Sequence, residues 1–455
     1  MAPTTHHRLF SSLRIAIISI GVLLLTIWCL RNSIALRNML LAFGAIIGIA
    51  IITNKTPHDT NNTFQVRGNA FKNRALSLAP IILAVIFFGW VIIHFFFYSS
   101  EVSLQLQELK GTWLRAALAL ITGSAIGLVI RYSIRAPNFL WMGIYCSFIY
   151  LLFDYLFALR GSQSLFMPEY YFSSPFGNKI NSVLMGGLFI GAACGSSAYA
   201  IEYLEKQPRG LHIFWLSGSA LVLFSYTQII DTRNGIGLAL ILISAWLVYI
   251  TFKKIKRMNF AQAFCVILVP TLVLGFFVQE HLALNKGWNH FLGDVEVGLQ
   301  IDQIPNWQDI KRLGYPNTLA GEPVYPNNYE RTAWATAGIK SLQHNPLGFG
   351  LLEHSLGYLI KQHYPEATVM SSHSGWIDFG LAFGIPGLTL IFGSLASIIF
   401  LALKSNSANA LPVIWVTSSL LLTFTVAETS SKHSIEILFF FIGLLTLLIG
   451  HKHSK

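Results

Sequence analysis

Residues 327–350 read NNYERTAWATAGIKSLQHNPLGFG, and residues 371–388 read SSHSGWIDFGLAFGIPGL. The first stretch lies inside a long polar interruption, from about His281 to Ser372. The second is where that interruption gives way to an apolar run again. Almost everything outside it is apolar. The chain has 455 residues, of which 54% are hydrophobic and 11% charged, and its mean hydropathy is +0.57. Soluble domains are usually about 25% charged. The expectation is an all-α polytopic membrane protein with one large extramembrane insert.

A spanning helix needs about 20 mainly apolar residues. Twelve stretches qualify, near 13–30, 36–53, 75–98, 112–130, 138–158, 180–200, 210–230, 234–251, 261–281, 373–403, 408–427 and 434–450. The first resembles a signal peptide in its flanks, but spans follow at once, so it reads as a retained span. The expected organisation is spans 1–9 over residues 1–281, a helical loop over 282–372, and spans 10–12 over 373–455.

Charge sets the expected orientation. With both termini in the cytoplasm, the cytoplasmic segments hold 17 of the 31 basic residues and three acidic ones, Asp59, Glu202 and Glu205. Basic residues near span ends prefer the cytoplasm, and long loops count little. The loop is therefore expected outside, in the periplasm of a Gram-negative cell. The same asymmetry explains the net charge of +11. There is no basic stripe of the kind nucleic acid needs, so no nucleic-acid partner is expected. Cys29, Cys146, Cys194 and Cys265 all lie in apolar runs and are expected to be buried packing residues. With no HExxH and no cysteine cluster, no metal is expected. The one D-x-E of the loop, Asp294-Val295-Glu296, reads as a solvated pair.

The loop carries Trp288, Trp307 and Trp334 and has helical periodicity. Residues 328–344 read as an amphipathic helix with Trp334, Ala335, Gly338, Ile339 and Leu342 on one face. Arg331 shares that face, where a guanidinium needs an anionic partner. A second helix is expected over 352–364, with His363 on its apolar face. Pro346 and the glycines at 348 and 350 mark a turn between them.

His373 opens the tenth span. Ser371 or Ser372 can cap that helix, and the positive end of the helix dipole disfavours an imidazolium. A neutral histidine at the membrane surface can serve as a general base; the alternative is an interfacial cap. Arg233, in TRNGIGLAL at the outer end of the eighth span, runs against the positive-inside preference. It reads as a phosphate-binding fork at a helix N-terminus, or as a snorkelling arginine paired with Asp231. Arg312 and Arg160 are weaker phosphate candidates. The aromatics of residues 166–176 read as sugar-stacking rings or an interfacial belt. Asp154 is the clear carboxylate deep in a span, which gives little to a secondary transporter or flippase, the reading from another class.

At these residues the chain resembles the bacterial O-antigen ligase family, which also includes O-antigen polymerases and some protein O-glycosylating oligosaccharyltransferases. The resemblance rests on TRNGIGLAL (232–240), YERTAWATAGIKSLQHNPLGFG (329–350) and SHSGWIDFGLAFGIPGL (372–388). It covers about 228–390, and the topology of about twelve spans with a large loop after the ninth also fits. Two departures stand out. His373 is followed by Ser374, where the family often has Asn, and Arg233 lies between Thr232 and Asn234 rather than Ser and Gly.

The resemblance implies an enzyme of the bacterial inner membrane that needs no cofactor. Its donor would be a glycan on undecaprenyl pyrophosphate, and its acceptor a hydroxyl of the lipid A-core. Arg233 and Arg331 would hold the pyrophosphate, with Arg312, Arg160 and His363 as weaker candidates. His373 would be the general base of a metal-independent, inverting transfer at the periplasmic face.

Overall fold

The computed structural model describes residues 5–53, 76–131, 136–160, 170–203, 208–254, 290–426 and 432–449, with scattered positions between 259 and 283. Among them every element is helical. The bundle contains α1 (Thr5–Ile27), α2 (Ile34–Thr53), α3 (Ala79–Phe97), α4 (Val102–Ile130), α5 (Ala136–Leu159), α6 (Lys179–Tyr203), α7 (Arg209–Ile229) and α8 (Arg233–Lys254). The polar stretch contributes α9 (Phe291–Leu299), α10 (Pro326–His344) and α11 (Ser355–His363). The bundle resumes with α12 (Gly375–Leu403), α13 (Ala410–Phe424) and α14 (Lys432–Leu448).

Eight of these helices are long and apolar enough to cross a bilayer, and α1, α13 and α14 add shorter apolar segments. The protein is a polytopic membrane protein. The expected span at 261–281 falls largely outside the described residues. α4 starts ten residues before the expected span, because a π-turn at Leu109–Trp113 carries the polar segment Val102–Glu108 straight into the apolar run.

Helices in lipid gain little from apolar burial against one another, so close packing holds them together. α4 and α14 meet through glycines: a Cβ at Gly123 would lie 2.0 Å from the Phe440 carbonyl oxygen, and one at Gly127 2.4 Å from that of Leu444. α1 packs into the same core through Ile17, Leu24 and Leu25, joined by Trp28 just past its end. Cys29 and Cys194 are buried as expected, but Cys146 lies on the outward face of α5 and is exposed.

Residues 290–374 carry a second core of their own. Val297, Ile301, Trp307, Tyr329, Ala333 and Ala337 meet Leu356, Leu359 and Ile360, with Leu381 of α12 reaching in. The buried face of α10 is thus Tyr329, Ala333, Ala337, Gly338 and Ser341. This is rotated from the expected face, and Ile339 is 51% exposed. The loop core lies on the alanine side of the helix, which leaves Trp334 at its margin.

α12 holds loop and bundle together. Its 29 residues are interrupted at Gly384 (φ 67°, ψ −167°), two residues before Pro386. A break inside a membrane span leaves backbone groups that must be satisfied by protein. The Leu381 and Ala382 carbonyls accept from Phe349 N and Gly350 N at 2.7 and 2.6 Å, and Ile385 N donates to the Pro346 carbonyl at 2.8 Å. The Phe383 carbonyl accepts from Trp90 Nε1 at 2.9 Å. The NPLGFG turn therefore plugs the break in α12. Contact is so close that a Cβ at Gly348 would lie 2.5 Å from the Ala382 carbonyl oxygen, and one at Gly384 2.2 Å from that of Pro346.

Below the turn, His94 Nε2 lies 3.3 Å from the Gly348 carbonyl oxygen and Nδ1 lies 3.3 Å from Gln105 Nε2. A carbonyl can only accept, so this network assigns the proton to Nε2. The Glu108 carboxylate accepts from Leu352 N and Glu353 N, which seats the start of the next segment.

Candidate functional site

The N-terminus of α8 faces the loop. Arg233 Nη1 donates to Asn328 Oδ1 at 3.3 Å, and its guanidinium lies 4.6 Å from the centroid of the Tyr325 ring. Asp294 positions both partners. Its Oδ2 accepts from Asn328 Nδ2 at 2.8 Å, and its Oδ1 accepts from Tyr325 N at 3.0 Å. Asp294 is fully buried, so the reading of this carboxylate as solvated is corrected. It satisfies a backbone N–H at the start of α10, where Pro326 occupies the first turn.

Beside Arg233, Lys179 opens α6. Its Nζ donates to the Asp231 carbonyl at 2.7 Å, lies 3.9 Å from the Asp231 carboxylate and stands over the Tyr171 ring at 4.5 Å. Asp231 therefore pairs with Lys179, while Arg233 turns towards the loop.

α10 runs from this arginine to the histidine. Asn328 near its start is bonded to Arg233. Trp334, six residues on, stacks on the His373 imidazole with centroids 4.9 Å apart and an interplanar angle of 26°. Gly338, one turn further, packs on Ile377 of α12. At a rise of 1.5 Å per residue, Asn328 and Trp334 are separated by about 9 Å along the axis. Arg331 lies midway between them, both along the helix and around it. It is half-buried, and its neighbour Glu330 points away to accept from the Tyr315 hydroxyl at 2.8 Å.

His373 lies before α12 rather than in it. The helix starts at Gly375 with Ser374 at the cap position and no side-chain cap bond. Ser372 instead braces the turn: its hydroxyl donates to Asp378 Oδ1 at 2.6 Å and accepts from Ser374 N at 3.1 Å. Ser372 N also donates to Asp378 Oδ1, at 3.2 Å, and His373 N donates to Ser371 Oγ, at 3.2 Å. Between these ties His373 adopts φ 53°, the left-handed region that few non-glycine residues enter. Such a conformation costs about 1–3 kcal/mol and gathers at functional sites. Asp378, four percent exposed, thus holds the turn that presents the imidazole.

An apolar groove of about 530 Å³ runs along α12 beyond the break, lined by Ile385, Leu388, Phe392, Gly393, Ala396 and Leu421 among others. Trp376 stacks on Phe392 at 3.9 Å and donates from Nε1 to the Leu421 carbonyl, so it meets the groove three residues from His373.

The remaining expected residues lie elsewhere. Arg312 pairs with Glu366 at 3.3 Å on an exposed surface. Arg160, at the end of α5, lies 5.8 Å over the Phe157 ring and is exposed. His363 ends α11, edge-on to His344 at 5.4 Å beside Asp302 and Lys340. Of the aromatic segment, residues 161–169 are outside the described residues, while Tyr170 and Phe176 are core side chains. Among the described residues no three His, Cys, Asp or Glu side chains gather as a metal site.

Two features escaped the sequence reading. One is the Asp294–Asn328–Tyr325 seat for Arg233; an Asn-Asn-Tyr step opening a helix was its faint signal. The other is a fully buried carboxylate in the apolar bundle, Glu436 of α14, where Asp154 had been the expected one. Asp154 is only half-buried and accepts from the Tyr170 hydroxyl at 2.5 Å.

No protein-family model matches the chain, and no curated protein matches it.

Proposed function

We propose that this protein is a glycosyltransferase of the O-antigen ligase type, moving a glycan from a polyprenyl diphosphate to an acceptor hydroxyl at the loop's side of the membrane. One observation carries this reading: a single face of α10 joins Arg233, Arg331 and the stacked pair Trp334–His373. A cationic end and an imidazole end on one rigid helix suit a reaction with an anionic leaving group and a hydroxyl nucleophile.

In the proposed reaction the acceptor oxygen attacks the anomeric carbon as the bond to the diphosphate breaks. Arg233 and Arg331 stabilise the charge that gathers on the departing diphosphate. His373 takes the proton from the acceptor hydroxyl. A single displacement inverts the anomeric centre. The apolar groove along α12, which Trp376 meets three residues on from His373, offers the polyprenyl chain a surface. The acceptor is a sugar hydroxyl of the lipid A-core, with the site facing the periplasm and both termini in the cytoplasm.

A deletion strain tests the function. Lipopolysaccharide without any O-antigen on the lipid A-core is the expected result. Retention of one repeat unit would instead assign the protein to the polymerases of the same type.

A further inference from the structure

Away from Arg233, four segments of the bundle bring two arginines around one buried carboxylate. Glu436 Oε2 accepts from Trp28 Nε1 at 2.9 Å and lies 3.1 Å from Arg37 Nε, and Oε1 accepts from Arg115 Nε at 2.6 Å. Arg37 Nη1 donates to the Trp28 carbonyl at 2.8 Å. One turn before Glu436, His433 Nε2 lies 2.6 Å from Asn181 Oδ1, two residues from Lys179. Through that step the cluster belongs to the side of the bundle that faces the loop.

Among the described residues the cluster has two cations for one anion. One arginine would neutralise Glu436, and an uncompensated charge in a membrane bundle is costly. The two guanidinium groups differ in what else they meet. Arg37 is enclosed, whereas the Arg115 side chain is 17% exposed, and Nε is the one atom of it with a hydrogen bond among the described residues. Its Nη1 faces Gly111, where an added Cβ would meet nothing nearer than that atom, at 4.0 Å. Gly111 sits in the π-turn Leu109–Trp113, and π-turns inside helices recur at functional sites. Glu436 therefore fixes one edge of the Arg115 guanidinium, and the missing side chain at 111 leaves the other edge open. An open guanidinium edge is a bidentate fork for a phosphate.

We infer that Arg115 is a phosphate-binding residue for a membrane lipid, separate from Arg233. The inference rests on the proposed function only for the identity of that lipid, a polyprenyl diphosphate. The bound phosphate supplies a second negative charge beside Glu436, which acts as a positioning residue that keeps the fork turned towards Gly111.

The test is binding without acceptor, on the full-length protein in phosphatidylcholine nanodiscs. Farnesyl diphosphate and inorganic diphosphate are the probes, and calorimetric affinity is the readout. Arg115→Gln should weaken farnesyl diphosphate at least about tenfold, as expected for loss of a charge-assisted pair. Gly111→Leu, which covers the fork and leaves the ion cluster alone, should weaken it similarly. Inorganic diphosphate should bind wild type more weakly than the prenylated probe. Unchanged affinity in both variants would overturn the inference. Equal affinity for inorganic diphosphate, lost in Arg115→Gln, would assign the fork to soluble phosphate and overturn the lipid assignment. A protein that binds through Arg115 yet transfers no glycan would sink the proposed function and leave this inference standing.

Discussion

The imidazole of His373 lies face to face with the indole of Trp334, with ring centroids 4.9 Å apart, and one residue comes from the turn before α12 while the other comes from α10. The stack fixes the ring plane of a residue whose backbone is already held at φ 53°. If His373 is the base, His373→Ala should lower the transfer rate by about 10²–10⁴. Trp334→Ala should cost less, about tenfold, because stacking contributes about 0.5–1.5 kcal/mol. Trp334→Phe should recover most of it. Turnover at saturating donor checks all three.

Asp378 should matter through position. Its carboxylate holds the Ser372 hydroxyl and N–H, which set the turn that carries His373. Asp378→Ala should reduce kcat while leaving donor KM nearly unchanged. Ser372→Ala, which keeps the carboxylate and its bond to the Ser372 N–H but loses the bonds of the hydroxyl, should show the same pattern more weakly. A matching rise in donor KM would place Asp378 in binding instead.

The loop contacts of Arg233 and its proposed role in donor binding can be separated by a stability measurement. Arg233 meets Asn328 and Tyr325 of the loop, and both are seated by Asp294. Asp294→Ala strands a backbone N–H and an amide, a loss of about 1–3 kcal/mol each when buried. It should expose the loop to limited proteolysis. Arg233→Lys should keep the loop docked, because a cation still reaches Tyr325, but should raise donor KM by losing the fork.

The junction between loop and bundle leaves no room for a side chain. Gly348 (φ 86°) faces the backbone of Ala382 and Gly384, and Gly384 (φ 67°) faces that of Pro346 and Leu347. Gly348→Ala and Gly384→Ala each combine a backbone clash with a left-handed conformation and should abolish a stably folded yield. Gly393→Ala, in the groove, would meet only Leu83 at 3.5 Å and should fold normally. Size-exclusion profiles of the purified variants check the contrast.

Acid should loosen the loop surface at Asp302. Its carboxyl is held below the usual carboxylate range, first by the Lys340 ammonium and also by the Tyr364 hydroxyl. A depressed folded value gives stability that is complete above the unfolded value, near about pH 4, and is lost as pH falls through the folded one. Lys340→Ala should remove that acid dependence with little effect at neutral pH, as thermal unfolding across a pH series would show.

How much of this was legible in the chain differs by residue. The bundle helices were readable because apolar length alone marks a span. The run at 373–403 was too long for one straight span, and that excess belongs to the break at Gly384, whose partners lie in NPLGFG. The face of α10 was misplaced because its core side is built from small residues, Ala333, Ala337 and Gly338, while Ile339 is left outside. Asp294 looked solvated because a carboxylate in a polar stretch gives no sign of burial until α10 packs over it. Glu436 is one acidic residue in an apolar run, and its partners Arg37 and Arg115 are hundreds of residues away in sequence.

Arg312 should be dispensable: it pairs with Glu366 at an exposed surface, where ion pairs contribute little. The most direct test of the central claim therefore uses four proteins in nanodiscs: wild type, Arg312→Ala, Arg331→Ala and His373→Ala. Each is given a polyprenyl-diphosphate glycan and a lipid A-core acceptor, and the joined product is quantified. The account predicts product from wild type and Arg312→Ala, and at least a hundredfold less from Arg331→Ala and His373→Ala, in keeping with loss of an electrostatic stabiliser or a base. Wild-type product from the His373 variant, with the protein folded and inserted, would contradict it.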